Sequence, residues 1–538
     1  MSASGRDAGS ALRFAFRFAF GLVALFAAMS WWTLVVTAAD GLNDPAIETE
    51  SGRLTGIVSA QMNEYLGIPY AAPPVGTLRW LPPQAFGRWH GVFQATQFGN
   101  KCPQTGGGDE NCLFLNIYTP HLKTHPRHEG LAVMVWIHGG GLINGAGSEF
   151  DPTPLVEGGG VIVVTINYRL GMLGFFAHPA LDAEDHLAGN YGFMDQQFAL
   201  RWVRRNIAAF GGDPDRVTIF GESAGGLSVY CQLASPLAAG LFHRAIAQSG
   251  AYAGFSPDYR VQILPIAVAA MTGNFLVKSG TALADAVGCS SQTAECLRAV
   301  DAATLVAAQG PTFPTIDGTL LTETPGAAFD SGNFNRVPVI TGTNHDEYRY
   351  FVATDFILPL LNTQYDSAFT MVFGPLLAPG VEAAYPLGVS PPVNEAELQL
   401  AAAGTDGIFA CTARRAMMGL AQYVRVYAYE FNDENAPGPD YPGLNFPLGA
   451  YHGSDVEYLF NRNGIPAPFT HDQQLLSQAM ISYWTHFAKK GDPNSWDLPY
   501  WEPYVPAIDE RQSFVPPTPE VEFNFDTYHM CTSYWDSL

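Results

Sequence analysis

The sequence predicts a wound α/β sheet, and two observations carry that prediction. Apolar runs of four to six residues recur down to about residue 250, among them Met134-Val135-Trp136-Ile137, Val161 to Ile166, Val217 to Phe220 and Ala245 to Gln248. Amphipathic, helix-compatible stretches separate them. Runs that are apolar at nearly every position belong to strands buried on both faces, as parallel strands between helix layers are. The first three run directly into His138, Asn167 and Gly221, so chemistry-bearing residues stand at the carboxyl ends of strands, where open α/β sheets place their ligands.

Taken along the chain, the first 39 residues read apart from the rest. Arg6, Arg13 and Arg17 precede an uncharged stretch from Phe18 to Ala39 that ends in small residues before Asp40. This is the pattern of a secretory signal cut after Ala38 or Ala39. The stretch is also long enough, at about 20 residues, to stay in a bilayer as an uncleaved anchor over residues 18–39. Either outcome puts the folded part in an oxidising compartment: secreted, periplasmic or extracellular. Between residues 250 and 440, Ala-rich and Pro-rich stretches interrupt the strand pattern, with strands expected at Val337 to Thr341 and Val424 to Phe431. These stretches read as helical insertions carried by one sheet. Without a linker-like segment or an internal repeat, residues 40–538 are expected to form a single catalytic domain.

Composition narrows the function. The chain is 47% apolar and 14% charged, enough apolar residues for a large core. Its 50 acidic and 27 basic residues give a formal charge of −23, which opposes binding to phosphate backbones or anionic lipid headgroups. Nucleic acid is not an expected partner.

The chemistry begins at Gly221-Glu222-Ser223-Ala224-Gly225. A Gly-x-Ser-x-Gly pentapeptide alone is a weak signal, but this one follows the strand Arg216 to Phe220 and precedes a helix-compatible run from Leu227 to Ala234. That is the setting of a nucleophile elbow, in which the glycines let the backbone fold sharply around a strained serine. Acyl transfer also needs backbone N–H groups for the oxygen that becomes negative in the tetrahedral intermediate. His138-Gly139-Gly140-Gly141 follows the strand ending at Ile137 and lacks the Lys-Ser/Thr pair of a phosphate loop. The N–H groups of Gly140, Gly141 and Ala224 are the expected oxyanion hole. A serine hydroxyl further needs a histidine to take its proton and a carboxylate to fix the ring's tautomer. With a nucleophile elbow the acid and then the base come later in the chain. Two segments qualify, Thr341-Gly342-Thr343-Asn344-His345-Asp346-Glu347 and Ala450-Tyr451-His452-Gly453-Ser454-Asp455. Spacing leaves Asp346 and Glu347 nearly equal as the acid, and His345 stands as a rival to His452.

Further stretches fall in a recognisable order. They include Gly67-Ile68-Pro69-Tyr70-Ala71 with Pro73-Pro74-Val75-Gly76 and Leu78-Arg79-Trp80, then Glu110-Asn111-Cys112-Leu113-Phe114-Leu115-Asn116. Asn167-Tyr168-Arg169, Gly189-Asn190-Tyr191-Gly192 with Asp195-Gln196, Phe210-Gly211-Gly212-Asp213-Pro214, and Phe487-Ala488 with Gly491-Asp492-Pro493-Asn494 follow. On these motifs, from about residue 45 to the end, the chain resembles the type B carboxylesterase family of carboxylesterases, cholinesterases and some fungal lipases.

The resemblance implies the α/β-hydrolase fold, a large, mostly parallel central sheet flanked by helices, with helical insertions. It implies Glu347 as the acid, because the family's Gly-x-Asn-x-Asp-Glu pattern aligns on Gly342 to Glu347, and His452 as the base. It also implies disulfides Cys102–Cys112, Cys289–Cys296 and Cys411–Cys531, with Cys231 left over, and scaffold ion pairs Arg79 with Glu110 and Arg169 with Asp195. Three departures stand out. Leu142 replaces an aromatic residue after the three glycines, which suggests a wider pocket wall, and Tyr348 replaces a glycine after the acidic pair, which bears on the backbone around Glu347. The loop Pro103 to Asn111 carries no choline-binding Trp, so choline esters are not expected as special substrates. The expected activity is hydrolysis of small-molecule carboxylic esters to carboxylate and alcohol through an acyl-enzyme on Ser223. No metal, organic cofactor or obligate protein partner is expected. A lipase or amidase acting on bulkier substrates, and a non-catalytic interaction protein on the same fold, are the alternatives.

Overall fold

Eleven strands, β1 (Ile57–Val58), β2 (Asn63–Pro69), β3 (Phe114–Thr119), β4 (Leu131–Ile137), β5 (Ile162–Ile166), β6 (Gly212–Glu222), β7 (Arg244–Gln248), β8 (Val339–Asn344), β9 (Val426–Phe431), β10 (Arg511–Phe514) and β11 (Glu520–Glu522), build the central sheet of the computed structural model. The structure describes residues 46–121, 130–252, 275–310, 312–356, 358–388 and 394–538. The proposed signal, residues 1–39, lies outside them. Strand order across the sheet is β11-β10-β9-β8-β7-β6-β4-β5-β3-β2-β1. The stretch from β10 to β5 is parallel throughout. The edges are antiparallel: β11 on one side, and β3, β2 and β1 on the other. Residues Asp44–Leu538 form one compact unit.

The helices that bear on the site are α1 (Tyr191–Asn206), α2 (Ala224–Ala234), α3 (Glu347–Asp355), α4 (Tyr365–Ala384), α5 (Glu395–Gly404), α6 (Cys411–Ala421) and α7 (His471–Lys490). Because side chains alternate across a strand, the central strands feed two separate cores. Val133, Val135 and Ile137 of β4 join Val217 and Ile219 of β6 in a core with Leu200 and Val203 of α1, Leu227 and Leu233 of α2, and Met417 of α6. Met134, Trp136 and Phe220 point the other way and pack with Leu476, Met480, Trp484 and Phe487 of α7. Both sets are apolar, which is why these strands read as unbroken apolar runs. α7 starts at a capping box, in which Thr470 Oγ1 accepts from Gln473 N at 3.3 Å and the Gln473 side chain accepts from Thr470 N at 2.9 Å. It stops at Gly491, with φ 73°.

The insertion forms a third core, in which Tyr348 and Val352 of α3, Phe369, Val372 and Phe373 of α4 and Leu400 of α5 pack together. Asn362–Ala384, which contains α4, is long and apolar enough to cross a membrane by length and composition, and a third of it is buried in the folded unit. Its backbone breaks at Gly374, φ 85°, ahead of Pro375. Disulfides join Cys102 to Cys112, Cys289 to Cys296 and Cys411 to Cys531, and Cys231 is free and buried. Arg79 grips Glu110 through two nitrogens, at 2.7 and 2.5 Å, and Arg169 grips Asp195 at 2.7 and 2.8 Å. Both arginines are buried, and each also donates from Nη1 to a backbone carbonyl, Arg79 to Val300 and Arg169 to Leu81. That satisfaction is what a buried ion pair requires.

Candidate active site

β6 ends at Glu222 and α2 begins at Ala224, so the whole strand-to-helix reversal falls on Ser223. Its φ of 57° and ψ of −123° lie where a residue with a Cβ is strained. The turn is held by Ser223 N donating to Gln248 O at 2.9 Å and by Leu227 N donating to Ser223 O at 2.8 Å. The flanking glycines are needed because of Ile137. A Cβ at Gly221 would stand 2.5 Å from the Ile137 carbonyl oxygen, and one at Gly225 would stand 1.9 Å from it.

The loop after β4 lies directly against this turn. A Cβ at Gly139 would come within 2.8 Å of Glu222 O and 3.1 Å of Ser223 Cβ. Gly140 and Gly141 adopt φ of 98° and 64°. Among the described residues, the N–H groups of Gly140, Gly141 and Ala224 have no acceptor. His138, the first residue of the loop, is buried, and burial pushes its pKa down to about 4, so the ring is neutral at ordinary pH. It sits 2.9 Å from Gly139 O through Nδ1 and stacks on Tyr168, whose hydroxyl donates to His138 O at 2.7 Å. The histidine braces the glycine loop. Leu142, expected on a widened wall, is fully buried in the first core with φ 61°, and its carbonyl accepts from Gly171 N at 2.7 Å.

At the carboxyl end of β8 the segment Asn344–Glu347 sends its side chains in different directions. Glu347 opens α3 and is fully buried. Its Oε1 accepts from Thr343 Oγ1 at 2.7 Å and Asn344 N at 2.8 Å, while Oε2 lies 2.5 Å from His452 Nδ1. Asp346 pairs instead with Arg349 at 2.8 Å and accepts from Ala450 N at 3.0 Å. His345 faces Glu430, at 3.1 Å. Of the alternatives left open by spacing, Glu347 and His452 are the pair that meets.

His452 packs against the stacked rings of Phe351 and Phe409, 5.0 Å from each. Its Nε2 has no hydrogen-bond partner and faces Glu222 Oε1 at 3.3 Å. Burial opposes charge on the ring, but the Glu222 and Glu347 carboxylates outweigh it and raise the pKa to about 9. Burial in turn raises Glu222 to about 7, against the attraction of His452. Behind them, Asp455 accepts from Gln248 Nε2 at 2.7 Å, and Gln248 accepts from Trp484 Nε1 of α7 at 3.2 Å. Asn344 Nδ2 donates to Tyr451 O at 2.8 Å and ties the two loops together.

Several contributors had no separate signal in the sequence. Phe409 lies in a π-helical turn, Thr405–Ala410, an irregularity often found at functional sites. Thr405 Oγ1 of that turn accepts from Tyr348 N at 3.0 Å. Tyr252, whose pKa burial raises, packs 5.7 Å from Phe409. Isolated aromatics at unremarkable spacing look like core residues, and only the packed chain brings them to the histidine.

The sequence profile of the carboxylesterase family matches residues 43–529. The chain is 34% identical over 518 residues to acylcarnitine hydrolase of Mus musculus, covering 88% of this chain and 87% of that protein. It is 32% identical over 520 residues to cocaine esterase of Homo sapiens, again covering 88% and 87%. Among solved structures it is similar to PNB esterase, with a TM-score of 0.73 and 31% identity over 89% of this chain and 98% of that one. The wound sheet is therefore that of an α/β hydrolase, and the chain belongs to the carboxylesterase family and is a carboxylic ester hydrolase.

Proposed function

We propose that Ser223, His452 and Glu347 form the catalytic triad of this esterase and that the N–H groups of Gly140, Gly141 and Ala224 form its oxyanion hole. The observation that carries the reading is the 2.5 Å contact of Glu347 Oε2 with His452 Nδ1, which leaves Nε2 unpartnered next to the residue preceding Ser223. Glu347 fixes the tautomer with hydrogen on Nδ1, so Nε2 presents a lone pair. As Ser223 Oγ attacks the ester carbonyl carbon, its proton passes to Nε2 and the carbonyl oxygen takes the negative charge against the three N–H groups. The ester C–O bond then breaks, the departing alkoxide takes the proton from Nε2, and the acyl group stays on Ser223. Water repeats the sequence with His452 as base and releases the carboxylate.

Relatives named for substrates as different as acylcarnitine and cocaine support a broad range of small esters. Three disulfides fit an oxidising compartment and support residues 1–39 as an export signal, or residues 18–39 as an anchor, ahead of one catalytic domain. The formal charge of −23 argues against nucleic acid as a partner.

The experiment that tests the triad is capture of the acyl-enzyme. Mixing the protein with a short p-nitrophenyl ester gives a burst of one p-nitrophenol per chain, and peptide mass mapping of the quenched sample finds the acyl group on Ser223. A linear time course with no acylated peptide would remove Ser223 from the mechanism. The histidine's charge makes a second prediction. The neutral ring is the base, so kcat/KM rises with pH through the neutral range toward a plateau above about 9. Glu222→Gln removes one of the two carboxylates that hold the proton on the ring, so the acid limb moves to lower pH, by about one unit. A pH profile of kcat/KM that is unmoved by Glu222→Gln would show that Glu222 does not set the ring's charge.

A further inference from the structure

Two residues before Glu347 the chain turns a histidine into a second polar cluster. His345 Nδ1 lies 3.1 Å from Glu430 Oε1, at the end of β9, and His529 Nε2 lies 2.8 Å from the same oxygen. The three atoms are within 4.8 Å of one another. Glu430 and His529 are fully buried. On the far side of His529, Nδ1 meets Asp406 Oδ1 at 2.5 Å, and Tyr385 donates its hydroxyl hydrogen to the other oxygen of Asp406 at 2.6 Å. Asn432 Nδ2 lies 3.4 Å from Glu430 and 3.3 Å from Glu522, tying in a third carboxylate.

The hydrogen positions follow from the partners. An ionised Asp406 only accepts, so His529 carries a hydrogen on Nδ1, and a neutral ring then turns its Nε2 lone pair toward a carboxylate oxygen. Two acceptors 2.8 Å apart require a positive centre between or beside them, either a second proton or a metal ion. With bonds of about 2.0–2.1 Å, zinc ligands in a tetrahedron stand about 3.3–3.4 Å apart, so an ion taking the place of the proton on His529 Nε2 opens the 2.8 and 3.1 Å contacts to Glu430 by a few tenths of an ångström. A carboxylate on the outer nitrogen of a histidine is also the arrangement that orients metal-binding imidazoles.

We propose that His345, Glu430 and His529 form a binding site for a divalent metal ion of the zinc class, with Asp406 orienting His529 and Glu522 as the nearest further carboxylate. The carboxylates of Asp406 and Glu430 beside the two imidazoles supply the negative charge that a dication balances. A cavity of about 390 Å³, lined by His345, Asp346, Tyr385, Asp406, Tyr528 and Met530, gives access to His345. The site would be structural. It ties the C-terminal segment, already held at Cys411–Cys531, to the loop that carries Glu347. The inference does not depend on the roles proposed for Ser223 or His452.

The test uses the whole protein, stripped with a chelator, dialysed, and given Zn²⁺ or Co²⁺ alone. One ion per chain is expected to survive desalting by elemental analysis, Co²⁺ is expected to give visible d–d absorption, and the ion is expected to raise Tm. His345→Gln, at a partly exposed position, is expected to abolish the Co²⁺ bands. Asp406→Asn is expected to weaken Zn²⁺ binding about 10- to 100-fold. Melting of each variant without metal checks that it is folded. If stripped wild type melts cooperatively but retains neither ion, protons alone hold the cluster and the site is disproved. One ion bound equally well by wild type and both variants places it elsewhere and overturns the assignment.

Discussion

Alanine at Ser223 or at His452 lowers kcat for a short p-nitrophenyl ester by about 10⁴- to 10⁶-fold, and the double variant is no slower than either single one. The non-additivity follows from the chemistry. A hydroxyl without its base, or a base without its nucleophile, performs no part of acyl transfer, so once one is lost the other contributes nothing. What survives is binding plus the oxyanion hole, worth about 10³- to 10⁴-fold over water in enzymes of this type. The backbone gives the serine variant a clean reading. Serine and alanine both carry a Cβ, so the strain at φ 57° is the same for each and the turn has no new reason to rearrange. At position 452 the loss of the ring leaves Glu347 buried, but Thr343 and Asn344 still donate to it. Steady-state kinetics with a melting curve for each variant checks the prediction. Additive losses, with the double variant near the product of the two, would mean that serine and histidine work in separate steps.

Glu347→Gln is expected to cost about 10⁴-fold in kcat while leaving the fold intact, and the reason is one hydrogen. The glutamine oxygen keeps the place of Oε1, because Thr343 Oγ1 and Asn344 N both donate there. Turning the amide over would set its NH₂ against those two donors. The NH₂ group therefore faces His452 Nδ1 and donates to it, which places the ring's own hydrogen on Nε2, where the lone pair is needed. Asp346→Asn serves as the control. Asp346 is engaged with Arg349 and Ala450 N, so its kcat stays near wild type. If the effects were reversed, with Asp346→Asn inactive and Glu347→Gln near wild type, the acid would be misassigned.

The parallel centre of the sheet was legible because its strands are apolar on both faces. β4 sends Val135 and Ile137 to one core and Met134 and Trp136 to the other, and no polar residue interrupts the pattern. The antiparallel edges were not legible. β2 mixes Asn63, Glu64 and Gly67 with apolar residues and shifts register between Tyr65 and Ile68, so neither periodicity shows. At the site, Ser223 and the glycine loop were readable because each occupies a turn that only certain residues allow. The choice of Glu347 over Asp346 was not a local matter: the two are adjacent, and which one reaches a histidine 105 residues later is decided by α3 beginning at Glu347. Resemblance supplied that choice, and the packed chain supplies its reason. The cluster around His529 left no trace in the sequence, since its members come from four distant segments.

Tyr348 and Gly404 carry a consequence for any redesign of this region. A Cβ built on Gly404 would stand 2.2 Å from the Tyr348 ring, so the ring fills the volume that a side chain on α5 would occupy. The two positions behave as one residue's worth of space divided between two helices. Installing the family's glycine at 348 alone would hollow out the wall behind Glu347, and adding a side chain at 404 alone would push α3 away. Sequences that carry a small residue at 348 have room for a larger one at 404, and a useful exchange between the two forms has to move both at once.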